Sequence, residues 1–267
     1  MPFIDIHSHI LPGFDDGAED DREFLEMADR ALRGGTVRMA ATPHCDLDDP
    51  QFRLEEISSA VDKHRELLRS GGSSLDLVPG VEVRVNAGLY RWAKEGMEIE
   101  RLTLAGNGRY LLVDLPLNDL PTATADILFL VQLRGFTPIL AHPERNRFLA
   151  SHPEGIREMV ERGIVIQVNS GSLEGIYGKA ARRASTALLR EGLAQLVASD
   201  AHGRAGRHPD LSTAYNLLAR RRGEEAAHFL LEQNPAATLA GEDLAAMPAA
   251  PTRRPRRFFP AFHQIPR

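Results

Sequence analysis

Five histidines and three acids in this sequence stand where a strand–helix chain gathers its side chains. His7 and His9 follow an apolar run, Phe3–Ile6, and His44 follows a second, Val37–Thr42. Glu82 lies at the end of a third run, Leu75–Val83, and Asp114 at the end of a fourth, Tyr110–Leu115. His142 follows a fifth, Thr137–Ala141, and Asn169 closes a sixth, Ile164–Asn169. Asp200 and His202 follow a seventh, Gln195–Ser199. Neutral imidazoles and ionised carboxylates are the usual donors to Zn, Mn or Fe. In His7-Ser8-His9 an extended backbone turns both rings to one side, and Asp200-Ala201-His202 repeats the pattern. A single histidine after a strand is more often a loop residue, and a single Asp there is often a helix cap. Recurrence at one strand end after another points instead to a cluster of two or three divalent ions. Asp114, among Leu112, Val113 and Leu115, would be costly without a cation beside it. Asp15-Asp16-Gly17 reads as a turn, and its acids are further candidate ligands.

Two arginines suit a phosphorylated substrate. Arg145 stands three residues past His142, and Arg207 five past His202. Guanidiniums beside metal ions grip phosphate oxygens with paired hydrogen bonds, and pairing with surface acids is the plainer alternative for each. Asn169-Ser170-Gly171-Ser172 could line the pocket, with Asn169 touching substrate, or cap the next helix. Ions in such a cluster suit direct attack of an activated water on phosphorus, with Arg145 and Arg207 holding the phosphoryl oxygens. Other phosphate chemistry is missing. No Arg stands six residues after Cys45, where a cysteine-nucleophile phosphatase needs one; Gln51 does. No phosphate-cradling glycine loop and no Gly-x-Ser-x-Gly elbow occurs.

The elements that must position these residues alternate. Helical spacing predicts helices over Glu19–Arg33, Phe52–Arg69, Ala123–Arg134, Pro153–Arg162, Lys179–Glu191, Leu211–Arg221 and Glu224–Gln233. Seven strand–helix units in this length fit a closed parallel barrel better than an open sheet. Such a barrel brings the carboxyl ends of all its strands to one face, where active sites of the fold lie. The expected architecture is a single-domain distorted (β/α)7 TIM-like barrel over residues 1–246. A Pro/Arg-rich tail, residues 247–267, has no periodicity and is predicted to be disordered.

Composition narrows the class. The 267 residues carry 32 basic and 37 acidic side chains, and five of the arginines lie after Met247, where there is no acid. The acidic body argues against nucleic acid as a partner. One cysteine excludes an intrachain disulfide and a Cys-rich zinc site. No apolar run approaches the span of a membrane helix, and the start does not read as a signal peptide, so a cytoplasmic enzyme is expected. Phe258, Phe259 and Phe262 lie among the tail arginines. Such a mixture could adsorb to anionic lipid; a solvated end is the simpler reading.

The pattern resembles the PHP (polymerase and histidinol phosphatase) family. Within it the chain looks most like the bacterial metal-dependent tyrosine phosphatases of capsular and exopolysaccharide loci. The matching stretches are Ile4–Gly13 with Asp15-Asp16-Gly17, Ala41–His44, Pro79–Val83, Ala141–Arg145, Gln167–Leu173, Ala198–His202 and Asn234–Ala237. The resemblance implies a PHP barrel and up to three ions, manganese first, with Zn, Fe, Co or Mg as substitutes. It implies His7, His9, Asp16, His44, Glu82, His142, Asp200 and His202 as ligands, and Arg145 and Arg207 as the phosphate-binding pair. A fourth-strand ligand, usually Glu in these proteins, is the shorter Asp114 here. The implied substrate is a phosphotyrosine protein, in particular a bacterial tyrosine autokinase of polysaccharide export. The alternatives are a small-molecule phosphoesterase, such as a histidinol-phosphate phosphatase, and an inactive metal-bound docking module.

Overall fold

Strands that are apolar on both faces must be covered on both sides. The runs Tyr110–Asp114, Thr137–Ala141 and Val165–Asn169 are of this kind, buried almost end to end. The computed structural model describes residues 2–49, 54–96, 99–203 and 206–248. In it these runs are parallel strands of a barrel with helices outside. The chain runs β1 (Phe3–Ser8), α1 (Asp21–Arg33), β2 (Thr36–Ala41), β3 (His44–Cys45), α2 (Leu54–Ser70), β4 (Asp76–Pro79), β5 (Glu82–Arg84) and α3 (Ala87–Glu95). It continues through β6 (Tyr110–Asp114), α4 (Thr124–Leu133), β7 (Thr137–Ala141), α5 (Arg147–Ser151), α6 (Pro153–Glu161), β8 (Val165–Asn169), α7 (Ser170–Glu174) and α8 (Gly178–Arg190). Last come β9 (Leu196–Ala198), α9 (Ser212–Arg222), α10 (Glu224–His228) and, after a π-helical stretch, α11 (Asn234–Ala240).

All pairings are parallel, in the orders β1-β2-β4 and β3-β5-β6-β7-β8-β9. β3 resumes the path of β2, and β5 that of β4, so seven staves surround the barrel. The ring closes where Ser8 bridges Ala201, with Asp200 N–H donating to the His7 carbonyl at 2.9 Å and His9 N–H to the Ala201 carbonyl at 2.8 Å. The expected seven-stave barrel is what forms, with one difference in detail. The third run is two strands, broken at Gly80-Val81, and the second bends at Thr42-Pro43. Proline removes a ladder donor at each bend. At Gly80 a Cβ would press on the ends of the Leu104 and Thr42 side chains, so glycine lets the two pack closely against the bend. The two bends let the outer pieces pair on their own, with His44 opposite Glu82.

Apolar side chains divide into two layers. Ile6, Ala40, Leu112, Ile139 and Leu196 fill the barrel, and Leu104, Tyr110 and Leu239 close its amino end. A larger layer lies between strands and helices. Phe24 of α1 is its clearest anchor, fully buried and edge-on to the His64 ring at 4.6 Å. His64 in turn bonds the Ala60 carbonyl and Asp21, so this histidine is structural. Phe24→Ala is expected to destabilise the fold by about 3–5 kcal/mol. Urea unfolding would show it as a lower midpoint at unchanged slope; an unmoved midpoint would mean that α1 is not packed in this way. Cys45 is free and buried, and burial pushes its thiol up. The Pro/Arg-rich tail, apart from Met247 and Pro248, lies outside the described residues.

Candidate metal centre

The carboxyl ends of the staves converge, and with them nearly every residue singled out by type and spacing. His7 and His9 leave β1 fully buried, with their Nε2 atoms 3.2 Å apart. Two imidazole nitrogens facing each other at that distance share at most one proton. Glu82 opens β5 in the middle of four rings. Its oxygens lie 3.3 Å from His7, 3.4 Å from His9, 2.8 Å from His44 and 3.0 Å from His142. Asp200 lies 3.5 Å from both His7 and His9. Asp16, on the loop after β1, reaches His202 at 3.1 Å and His44 at 3.6 Å.

Three donor groups result: His9, Asp16, His44 and His202; His7, Glu82 and His142; and His7, His9 and Asp200. Within each, the donor atoms lie inside 4.8 Å of one another. The groups share His7 and His9, so ions held there would be close neighbours. Asp114 belongs to none of them. Its carboxylate comes no nearer than 3.9 Å to His142 Nε2, and burial and the charge of Glu82 both raise its pKa. Its shorter side chain leaves it at the margin of the centre.

The residues present fit cations. Burial opposes a charge on Glu82, yet His7, His142 and His44 hold its carboxyl well below the usual range. Burial likewise opposes a charge on Asp200, and His7, His9, His142 and Arg207 outweigh it. His9 and His142 respond in the opposite sense. Burial disfavours their protonation, but His9 is raised well above its ordinary value by Asp15, Asp200 and Glu82. His142 is raised to about 9 by Glu82 and Asp200. The carboxylates thus demand positive charge, and divalent ions supply it more compactly than protonated rings. Glu82 Oε2 carries the same message. It is buried without a hydrogen bond, its approach to His44 being close but misaligned. His142 and Asp200 also hold left-handed backbone, at φ 35° and 50°, a strain that persists at sites the surrounding fold over-determines.

Supporting residues orient the rings. Gln167 takes the far nitrogen of His7 at 3.0 Å, and Asp15 that of His9 at 2.6 Å. Such partners fix which nitrogen faces an ion. Burial works against ionisation of Asp15, but the bonds from His9, His44 and Gly17 bring it down to about 2. At Gly17 any side chain would run into the His9 carbonyl, so the loop can close on His9 only with glycine. Asp5, buried under the seam, accepts from Ser199 N–H at 3.0 Å and His7 N–H at 3.3 Å.

The arginines meet on one carboxylate. Arg145 Nη1 donates to Asp200 Oδ2 at 2.6 Å, and Arg207 Nη2 donates to Oδ1 at 2.8 Å. Asn169 Nδ2 also donates to Oδ2 at 2.6 Å, while its own oxygen accepts from Gln167. Asn169 is fully buried behind Asp200. Its contacts are those of a residue that orients Asp200. Sequence reasoning missed Tyr177, which joins the two arginines. Its ring lies 4.1 Å under the Arg145 guanidinium, and its hydroxyl accepts from Arg207 Nε at 3.2 Å. Nothing in the local sequence marks it, whereas Gln167 and Asp15 lie within stretches already singled out. Tyr177→Phe is expected to keep the ring and raise KM about 2- to 10-fold, the worth of one hydrogen bond, with kcat within about 3-fold. Equal losses in kcat and kcat/KM would instead give the hydroxyl a role in the chemical step. A cavity of about 410 Å³ opens beside Arg145 and Tyr177, walled by Leu117, Ala150 and Ala181 with Arg147 at its edge.

The sequence of residues 3–240 matches the family model described as "Capsular polysaccharide synthesis, CpsB/CapC". The chain belongs to the CpsB/CapC family. Among CpsB/CapC relatives, the tyrosine-protein phosphatase YwqE of Bacillus subtilis (strain 168) is 32% identical over 255 residues, covering 96% of this chain and 98% of that protein. The tyrosine-protein phosphatase CpsB of Streptococcus pneumoniae is 27% identical over 241 residues, covering 87% and 96%. A solved structure from work on YwqE and CpsB, described as unique metal-dependent tyrosine phosphatases, matches with a TM-score of 0.82 at 32% identity. It covers 94% of this chain and 100% of that one. A phosphotriesterase homology protein from Escherichia coli matches at a TM-score of 0.56 and 14% identity, which shows that the CpsB/CapC barrel shares its fold.

Proposed function

We propose that this chain is a metal-dependent phosphatase that hydrolyses phosphotyrosine on proteins. The observation that carries the reading is the meeting of three imidazole–carboxylate groups with two guanidiniums on one carboxylate, Asp200. Membership of the CpsB/CapC family and the names of its relatives support the same reading.

His7, His9, Asp16, His44, Glu82, His142, Asp200 and His202 would hold two or three divalent ions, manganese first, with Asp114 in reserve at the margin. Such ions supply Lewis acidity toward phosphoryl oxygens and toward water. The chain's own groups do the rest. Arg145 and Arg207, spaced by Asp200, offer N–H donors to the oxygens of a phosphoryl group as charge grows on them. Tyr177 fixes both guanidiniums, so little side-chain freedom is lost when phosphate arrives. Gln167, Asp15 and Asn169 keep His7, His9 and Asp200 aimed at the centre. The mostly apolar cavity beside Arg145 suits an aryl group carried on the phosphate, which favours a tyrosyl ester over a small polar one.

The finer reading is a cytoplasmic enzyme acting on a tyrosine autokinase of capsule or exopolysaccharide synthesis. No helix among the described residues is long and apolar enough to cross a membrane. The test is a substrate panel before and after metal removal. Turnover of a phosphotyrosine peptide should vanish on chelation, return with Mn, and exceed turnover of histidinol phosphate. Activity that survives rigorous metal removal would sink the metal reading. A preference for histidinol phosphate would make the chain a small-molecule phosphoesterase, and inactivity on both with metal bound would make it a docking module.

A further inference from the structure

One side of the molecule carries a charge that the metal centre does not use. Helix α8 has Lys179, Arg182, Arg183 and Arg190 and no acid, and α9 has Arg220, Arg221 and Arg222 and no acid. Elsewhere in the chain acids prevail. With the five tail arginines these helices hold 12 basic residues and no acid, against 20 basic and 37 acidic residues in the remainder. The two helices are neighbours joined by side-chain hydrogen bonds, so their charges share a face. Arg221 Nη1 donates to Thr186 Oγ1 at 3.1 Å, and Arg222 Nη1 to the Arg190 carbonyl at 3.1 Å. Among the described residues Lys179, Arg182, Arg183, Arg220 and Arg221 have no carboxylate partner; Glu191, which follows α8, pairs with Arg190 and is shared with Arg157. Like charges held this close repel one another, and an anionic partner relieves the cost.

The shape of the face says what kind of partner. Lys179, Arg182, Arg183, Arg190 and Arg221 surround a broad depression of about 670 Å³ floored by Thr186 and Ala187. Beside it Leu189, Leu217 and Leu218 line a smaller slot of about 250 Å³, rimmed by Arg190, Arg221 and Arg222. Wide basic ground next to a small apolar slot matches a phosphate headgroup layer with hydrocarbon beneath it. The tail starts from the same place. Met247 is held by Arg222, whose Nη2 lies 3.2 Å from its sulfur, and the 20 residues that follow carry Arg253, Arg254, Arg256 and Arg257 next to Phe258, Phe259 and Phe262. Arginine interleaved with aromatic rings is the composition that adsorbs at a lipid interface.

We infer that the α8–α9 face docks the protein on an anionic phospholipid surface. The same helix links that face to the metal centre, since α8 follows Tyr177 directly and its Ala181 lines the cavity beside Arg145. Docking would therefore hold the centre next to the bilayer, where a membrane-bound phosphoprotein presents its tyrosines. The inference does not rest on the proposed phosphatase reading, because lipid binding is read without substrate.

The test is co-sedimentation of the full chain with phosphatidylcholine vesicles and with vesicles in which phosphatidylglycerol replaces part of the phosphatidylcholine. Binding only to the second kind is expected, weakening as salt rises through the physiological range. Lys179→Glu, Arg182→Glu and Arg183→Glu together should weaken it on the order of 100-fold or more, and Arg182→Lys with Arg183→Lys should keep it. Unchanged p-nitrophenyl phosphate turnover and thermal midpoint would show that the triple variant folds. If it does not fold, Lys179→Gln with Arg183→Gln reads the same effect at smaller amplitude. Equal binding to both vesicle types overturns the inference. So does charge-reversed protein that binds as well as the parent, which would assign adsorption to the tail alone. Retention on immobilised polyglutamate without vesicle binding would overturn it in favour of an acidic protein partner.

Discussion

Glu82→Gln should strip metal from the centre and lower phosphatase turnover on the order of 10³-fold or more. The substitution keeps the shape of the side chain and removes its charge. Among the described residues Glu82 is the one carboxylate within 3.4 Å of four imidazoles, and it is almost fully buried. An amide offers one neutral oxygen in place of two anionic ones, and its N–H₂ would point at ring nitrogens or at an ion. Lewis-acid assistance contributes several kcal/mol, and about 4 kcal/mol corresponds to roughly 10³ in rate. Elemental analysis of the purified variant should find fewer ions per chain than in the parent, and added Mn should restore little. A variant with full metal content and near-parental turnover would remove Glu82 from the ligand set.

Arg145→Ala should lower kcat/KM about 10²- to 10³-fold while metal content stays the same. A donor aimed at developing phosphoryl charge is worth about 2.7–4 kcal/mol when removed. Arg145 is well placed for that role, held between the Tyr177 ring and Asp200 Oδ2. Arg145→Lys should recover only part of the loss, because an ammonium cannot grip two oxygens in one plane. The contact with Asp200 supplies the competing explanation, in which Arg145 acts by holding a ligand. Metal content separates the two. If ions are lost in step with activity, Arg145 positions Asp200; if ions stay and activity falls, it binds phosphate.

These two residues show how differently parts of the site were legible. Glu82 and the five histidines could be found because each ends or follows a run of apolar residues, and parallel strands bring such ends together by geometry alone. Arg145 could be found by its distance from His142. Tyr177 could not, since its role depends on where α7 ends and α8 begins, which places its ring against arginines 32 residues before it and 30 after it. Gln167 was hidden for another reason: a polar residue inside a strand reads as a flaw in the apolar pattern until its partner, His7, is known. Asn169 was visible by position, but only its contacts tell that it stands behind Asp200. Asp114 was chosen because a carboxylate among apolar residues needs a cation, and the structure leaves it 3.9 Å from the nearest imidazole nitrogen.

The amino-acid sequence alone determined the alternation of strand and helix, the parallel barrel, and the chemical type of the centre. Those follow from periodicity and residue identity, which are local. Only the tertiary structure decided how the ligands divide into overlapping groups, which nitrogen of each ring faces inward, and that both arginines converge on Asp200. It also decided that the second and third staves break so that His44 comes opposite Glu82. These features depend on side chains up to nearly 200 residues apart meeting within hydrogen-bond distance, and no local pattern encodes the bends and packing that set such distances.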